Sequence, residues 1–432
     1  MKNVSSSFEK GFPLPFRDGG TAQTSRNKNG GIVMKLYAQH GFGPGDKVRE
    51  GIREGIIDGV IYSARYEKQS NITKDIEEIK QYAERSDILL DPEIYACFHA
   101  GLPDAQLGGL TDWPFFAAYR RSQLETTEIV DRILEDTLTV LINLPLTAII
   151  APNIYIPRSF NSIEAVIAKN FIRRTRSAFA HKEDKRRVFS TLAVGRDTLL
   201  DQMEFESFLN DITALDNPPD GFYLLIGGGI TEERTDLSQS EIMHADVIAN
   251  WMLLNYTLSL NGFIVINGCS DILTPFLGGV GGHAGATGWW TNLRMFSMNR
   301  YIRSVSGGRL PLVRYLSNSI LNRITFSERE AIAALVPEIN NGLPHDKDYE
   351  GKEPQRNIEV LQTWEAIADL NKRLVTADTN ENLSRLERSV NLAEAAYENI
   401  SMLGIQLNVE AKKEYVAALR EGIRTFKRNA EI

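Results

Sequence analysis

Cysteine is almost missing from this chain of 432 residues, with Cys97 and Cys269 the only two. Two thiols outside any CxxC pair exclude a disulfide framework and an all-cysteine zinc centre, and each reads as a buried thiol. Histidine is scarce too, at 6 residues, and none stands in the HExxH or HxH spacing that would set two ligands on one metal, so no metal site is expected. No apolar run approaches the roughly 18 residues of a membrane span, and the opening MKNVSSSFEKGFPLPFRDGG has no stretch of signal-peptide length. A cytoplasmic protein with no membrane partner is the expectation. Positive charge is not in excess either: 48 Lys and Arg face 56 Asp and Glu, for a net charge of -8. That argues against non-specific coating of nucleic acid and leaves room for a local basic surface. A GxGxxG after the first strand, a Walker A sequence, a GxSxG and a strand-six lysine are all lacking, and no cofactor is indicated.

What the chain does have is alternation of short apolar runs with longer segments of helical period. The runs are Ile32–Gln39, Gly59–Tyr66, Asp87–Ala96, Thr147–Ile156, Arg187–Val194, Gly221–Gly229, Gly262–Gly268 and GGHAGATGWW at 281–290. Between the second and third, Ile72, Ile76, Ile79 and Ala83 recur at the spacing of one helix face. Asp46 is placed to cap the first helix, and Pro152 to end the fourth strand. Eight strands with helices between them place the chain in the α/β class, as a (β/α)8 TIM-type barrel; an open doubly wound sheet is the alternative. Residues 1–30, rich in Gly, Ser, Asn and Lys, read as a flexible arm, 31–305 as the barrel, and 306–432 as a helical C-terminal extension with no convincing strand.

A barrel of this kind gathers its reactive groups at the C-terminal ends of the strands. Four residues there could move a proton: Asp91 and Glu93 after strand three, Asp271 after strand seven and His283 after strand eight. Asp91 and Glu93, two apart, would point the same way from an extended strand end, although Pro92 between them suggests that the strand is finishing. Asp271 reads either as an acid–base group or as the first turn of a short helix, and His283 as a functional donor or a structural residue. The ligand-binding candidates are Arg65, Asn153, Asn267, Thr287, Arg294 and the glycines Gly227, Gly228, Gly229, Gly282 and Gly285. Glycines at strands six to eight either cradle an anion with their N–H groups or serve as tight turns and close packing. Two basic stretches stand out. Arg173 to Arg187 precedes strand five on the opposite side of the barrel, as a solvated face or partner contact. Arg294, Arg300, Arg303, Arg309 and Arg314 interleave with Trp289, Trp290, Phe296 and Tyr301, which suits base stacking and phosphate contact or plain inward packing.

The loop ILLDPEIYACF after strand three and LLIGGGITEE after strand six resemble two loops of the tRNA-guanine transglycosylase family. That resemblance implies Asp91 as a base-exchange acid–base group and Gly228 and Gly229 as backbone that recognises the base. The chain departs from the family at Asn153, where the family has a base-recognising Asp, at GHAGATGW, where its nucleophilic Asp belongs, and in lacking the cysteine-rich zinc site. Two expectations follow. One is an enzyme that binds a phosphorylated small molecule, a nucleotide or nucleic acid and performs group transfer or hydrolysis, with base exchange the form the resemblance implies. The other is an inert barrel docked by its helical C-terminus to a protein partner in a bacterial assembly, such as a nucleic-acid modification or phage-defence complex.

Overall fold

The computed structural model describes residues 34–43, 46–228, 243–303, 312–408 and 411–432. The arm at 1–30 and Gly229 lie outside them. Nine parallel segments form the main sheet: β1 (Lys35–Gln39), β2 (Gly59–Ser63), β3 (Asp87–Asp91), β4 (Ala148–Ala151), β5 (Tyr155–Ile156), β6 (Arg187–Gly195), β7 (Gly221–Gly227), β8 (Ile264–Gly268) and β9 (Ala284–Thr287). β4 and β5 are two parts of one strand, both paired with β6. Pro152 has no N–H for the ladder, and the break between them falls there. Asn153 fills the gap, its Nδ2 donating to Thr191 O on β6 at 2.8 Å.

The order β3-β2-β1-β9-β8-β7-β6-β4 makes eight neighbouring strands. Its two ends meet where Thr147 N donates to Ile88 O at 2.9 Å and Ile88 N donates to Thr147 Oγ1 at 2.8 Å. The sheet therefore nearly closes into a (β/α)8 barrel. Its strands are covered on both faces, which is why they read as continuous apolar runs; every residue of β2 is buried.

Helices follow the strands as their periodicity requires. Gln69–Lys80 buries Ile72, Ile76 and Ile79 against the barrel. Ile163–Ala180 starts at Ser162, whose side chain accepts from Ala165 N, and Asp201 caps Gln202–Thr213 in the same way. Ala245–Leu260 is apolar around most of its circumference because it is covered twice. One side packs on β8; on the other lies Glu414–Asn429, where Gly422 sits so close to Ile248 that a Cβ would meet its Cγ2 at 2.8 Å.

Among the described residues no long helix directly follows β9. The place between the helices after β8 and β1 is taken by Arg356–Leu374, which packs on β1, on Asp46–Arg53 and on Thr274–Gly278. The segment between holds an antiparallel hairpin, β10 (Arg314–Ser317) and β11 (Asn322–Thr325), where the sequence suggested only helix. Each strand has four residues, too few for alternation to register as a pattern.

Candidate functional site

At the C-terminal mouth β3 ends in Asp91, and the chain turns through Glu93 in the left-handed region, at φ 52°. Both carboxyl groups reach the same interior. They get there through that turn, since strand alternation has ended at Pro92. Asp91 Oδ1 accepts from Glu93 N at 2.9 Å, and its Oδ2 accepts from the Tyr95 hydroxyl at 2.7 Å. Glu93 accepts from the Ser63 hydroxyl at the end of β2 and from the Tyr301 hydroxyl, one on each oxygen. Tyr223, on β7, reaches Gln39 Oε1 at 3.4 Å and also hydrogen-bonds Asp91.

A chain segment crosses above this network. Gly228 N donates to Phe296 O at 3.1 Å on one side, and on the other Gln106 N donates to Tyr301 O at 2.8 Å and Arg303 N to Asp104 O at 2.9 Å. Phe296 packs its ring edge on Tyr95, and the mouth is sealed, with Asp91 1% and Glu93 2% exposed. Arg65 is buried beside this network with its guanidinium over Tyr66 and Tyr301, Nη1 donating to the Tyr66 hydroxyl at 3.0 Å and Nε meeting no acceptor among the described residues.

Burial, and after it the charge of Glu93, pushes the Asp91 carboxyl up to about 7, against the hydrogen bonds from Tyr95, Glu93 N and Tyr223. A folded-state value above the unfolded one stabilises the protein below the ordinary carboxylate range, and that stability is lost as pH rises to the folded value. Urea unfolding should therefore show stability falling between about pH 4 and about pH 7. Asp91→Asn should flatten that fall, and an unchanged slope in the variant would remove Asp91 as its source.

The other sequence candidates are dispersed. Asp271 lies beyond β8 and accepts from Thr287 Oγ1 at 2.7 Å and from both terminal nitrogens of Arg323 on β11. Burial raises its carboxyl, but Arg323, Arg294 and Thr287 together bring it below its ordinary value. Asn267 exchanges hydrogen bonds with Asn255 at 2.8 and 3.0 Å and accepts from Trp251 Nε1 at 2.8 Å, facing the helix Ala245–Leu260. Asn153 is taken up in the strand break.

The glycines sit at close approaches. A Cβ on Gly227 would meet the Tyr155 hydroxyl at 2.9 Å, one on Gly282 Leu277 O at 2.8 Å, and one on Gly285 Thr274 at 2.5 Å. Gly228 N is engaged by Phe296 O and Gly282 N by Leu277 O. His283, expected after the eighth strand, precedes it, because β9 begins at Ala284; it lies at the opposite, N-terminal mouth beside Lys35 and Asp87. Both cysteines are buried, and burial pushes Cys97 up to about 12 and Cys269 up to about 11.

The three tyrosines that finish the network were not singled out as site residues from sequence. Tyr223 and Tyr95 stand in apolar runs and read as core. Tyr301 belongs to the aromatic and arginine stretch, whose inward-packing reading describes it.

Among the described residues no helix is long and apolar enough to cross a membrane, and no group of three or more His, Cys, Asp or Glu is placed to hold a metal ion. The fold and this mouth define a (β/α)8 barrel protein. No family model matches the sequence, and no curated protein matches it. Among solved structures it is similar to a glycosyl hydrolase described as a GH3 family member from Mycobacterium smegmatis, at 13% identity over 59% of this chain and 83% of that one, with TM-score 0.37. A dihydrodipicolinate synthase from Oceanobacillus iheyensis is similar at 11% identity over 85% of this chain and 96% of that one, with TM-score 0.23. The barrel assignment rests on the strand order itself.

Proposed function

We propose that the protein is an enzyme whose proton-transfer group is Asp91, acting by group transfer or hydrolysis on a phosphate-bearing substrate, a nucleotide or nucleic acid. The observation that carries this reading is the pair at the end of β3. Asp91 is held near neutrality, while Glu93 beside it receives two hydroxyl hydrogen bonds. A carboxyl raised to about 7 suits a group that gives or takes a proton near neutral pH, and Glu93, fixed by its two hydroxyl partners, suits a positioning role beside it. Arg65, buried beside the pair with Nε uncommitted, suits contact with the substrate's phosphate inside the mouth. The loop resemblance to the tRNA-guanine transglycosylases supports base exchange as the form of group transfer. This reading requires the crossing at Phe296–Arg303 to lift for substrate to reach Asp91.

The sealing of the mouth favours a second reading, an inert barrel that serves as a partner-binding or nucleic-acid-binding subunit of a bacterial multi-protein assembly. Incubation with nucleotides, sugar phosphates, nucleobases and short DNA and RNA, read by thermal shift and mass spectrometry, separates the two. One class should stabilise the protein and be turned over, and Asp91→Asn should keep the fold and lose turnover by about 100-fold or more. Equal turnover by the variant would end the assignment of Asp91, and silence across the panel would favour the inert barrel.

A further inference from the structure

The N-terminal mouth of a (β/α)8 barrel is ordinarily filled by branched apolar side chains. Here it opens into a cavity of about 330 Å³ whose walls include Lys35 from β1, Asp87 from β3, Arg187 from β6 and His283, with Lys185 at the rim. Tyr37, Leu89 and Phe189 line it one layer further in.

Its acids are already committed. Asp87 Oδ2 accepts from Lys35 Nζ at 2.5 Å and from the Tyr37 hydroxyl at 2.7 Å. Asp58 and Asp220, nearby at this end, are tied to Leu36 N and to Arg176 with Val188 N. Arg186 is committed as well, to Asp184 and to the carbonyls of Ile142, Leu144 and Leu146. Arg187 and Lys185 are left with no hydrogen-bond acceptor among the described residues, so the cavity carries a surplus of positive charge. His283 registers it: burial, then Lys35 and Arg187, with Asp87 opposing, hold its imidazole down at about 4, so it faces the cavity uncharged and able to donate a hydrogen bond.

We propose that this mouth binds a phosphate dianion, free or as a small phosphomonoester, through Arg187 and Lys185 with Lys35 and His283 behind them. A guanidinium and two ammonium groups around one cavity match the charge of a doubly charged oxyanion, and Asp87 keeps Lys35 in place without cancelling the other two charges. The site is at the opposite end of the barrel from Asp91 and does not depend on the reading of that end.

Calorimetric titration of the full chain with inorganic phosphate and with glycerol 3-phosphate, against chloride at equal ionic strength, tests it. Saturable phosphate binding is expected, weakened about tenfold or more in Arg187→Ala and in Lys185→Ala, both exposed positions. Asp91→Asn should bind phosphate as the wild type does. The His283 imidazole, followed by NMR, should titrate at higher pH once phosphate is bound. Binding of both probes assigns a phosphomonoester, and binding of phosphate alone assigns the free ion. No saturable binding, or an Arg187→Ala variant with unchanged affinity, overturns the proposal.

Discussion

Arg323→Met is expected to lower the unfolding free energy by about 3–5 kcal/mol, the cost of breaking a buried ion pair from one side. Arg323 on β11 donates Nη1 to Asp271 Oδ2 at 2.5 Å and Nη2 to Asp271 Oδ1 at 2.7 Å, with the two side chains 5% and 4% exposed. The pair joins the hairpin to the C-terminal end of the barrel, so its loss is felt in both. Because the Asp271 carboxyl is held below its ordinary value, the pair's contribution is present at neutral pH and is lost as pH falls through that lowered value. The variant should therefore lose less stability on acidification than the wild type. The double variant Asp271→Leu with Arg323→Met should recover most of the loss, since removing both charges leaves no buried carboxylate short of its partner. Urea unfolding of the three proteins reads all of this. A single-variant loss below about 1 kcal/mol would mean that Thr287 and Arg294 hold Asp271 without Arg323.

The strands were legible because parallel strands buried on both faces leave unbroken apolar runs between polar ends, and the helix Gln69–Lys80 because Ile72, Ile76 and Ile79 share one face. His283 was set on the wrong side of its strand for a related reason. GGHAGATGWW has no β-branched run to fix where β9 starts, so its limits are set by pairing with β1 and β8. Asp91 and Glu93 could be read because the rule about strand ends needs only the strand. Their partners could not: Tyr301 meets Glu93 across 208 residues of chain, and nothing local marks such a contact. Asp271 illustrates the reverse. As a lone Asp after a strand it resembles a catalytic group, and its pairing depends on Arg323, 52 residues downstream in a hairpin whose strands were too short to be seen.

A loss of the same size is expected in the helix Arg356–Leu374, whose contacts are likewise distant in sequence. Trp364→Ala should cost about 3–5 kcal/mol, the range for emptying a large aromatic site in a packed core. Trp364 is fully buried, and its ring packs so closely on the helix Asp46–Arg53 that a Cβ on Gly51 would come within 3.1 Å of it. Its indole N–H donates to Thr287 O at the end of β9 at 3.1 Å, so one side chain fastens this helix both to a barrel strand and to the first helix of the ring. Trp364→Phe keeps much of the volume and loses the hydrogen bond, and should fall between the two. A chain ending at Arg303 would lack Trp364, Arg323 and the cover that Glu414–Asn429 gives Ala245–Leu260, leaving apolar barrel surface exposed. Such a chain should show no cooperative unfolding transition and should bind a hydrophobic dye. A sharp transition near that of the full chain would instead mean that the strands and their own helices suffice. In that case Trp364→Ala should also be mild, because both results depend on whether Arg356–Leu374 is part of the ring or merely rests on it.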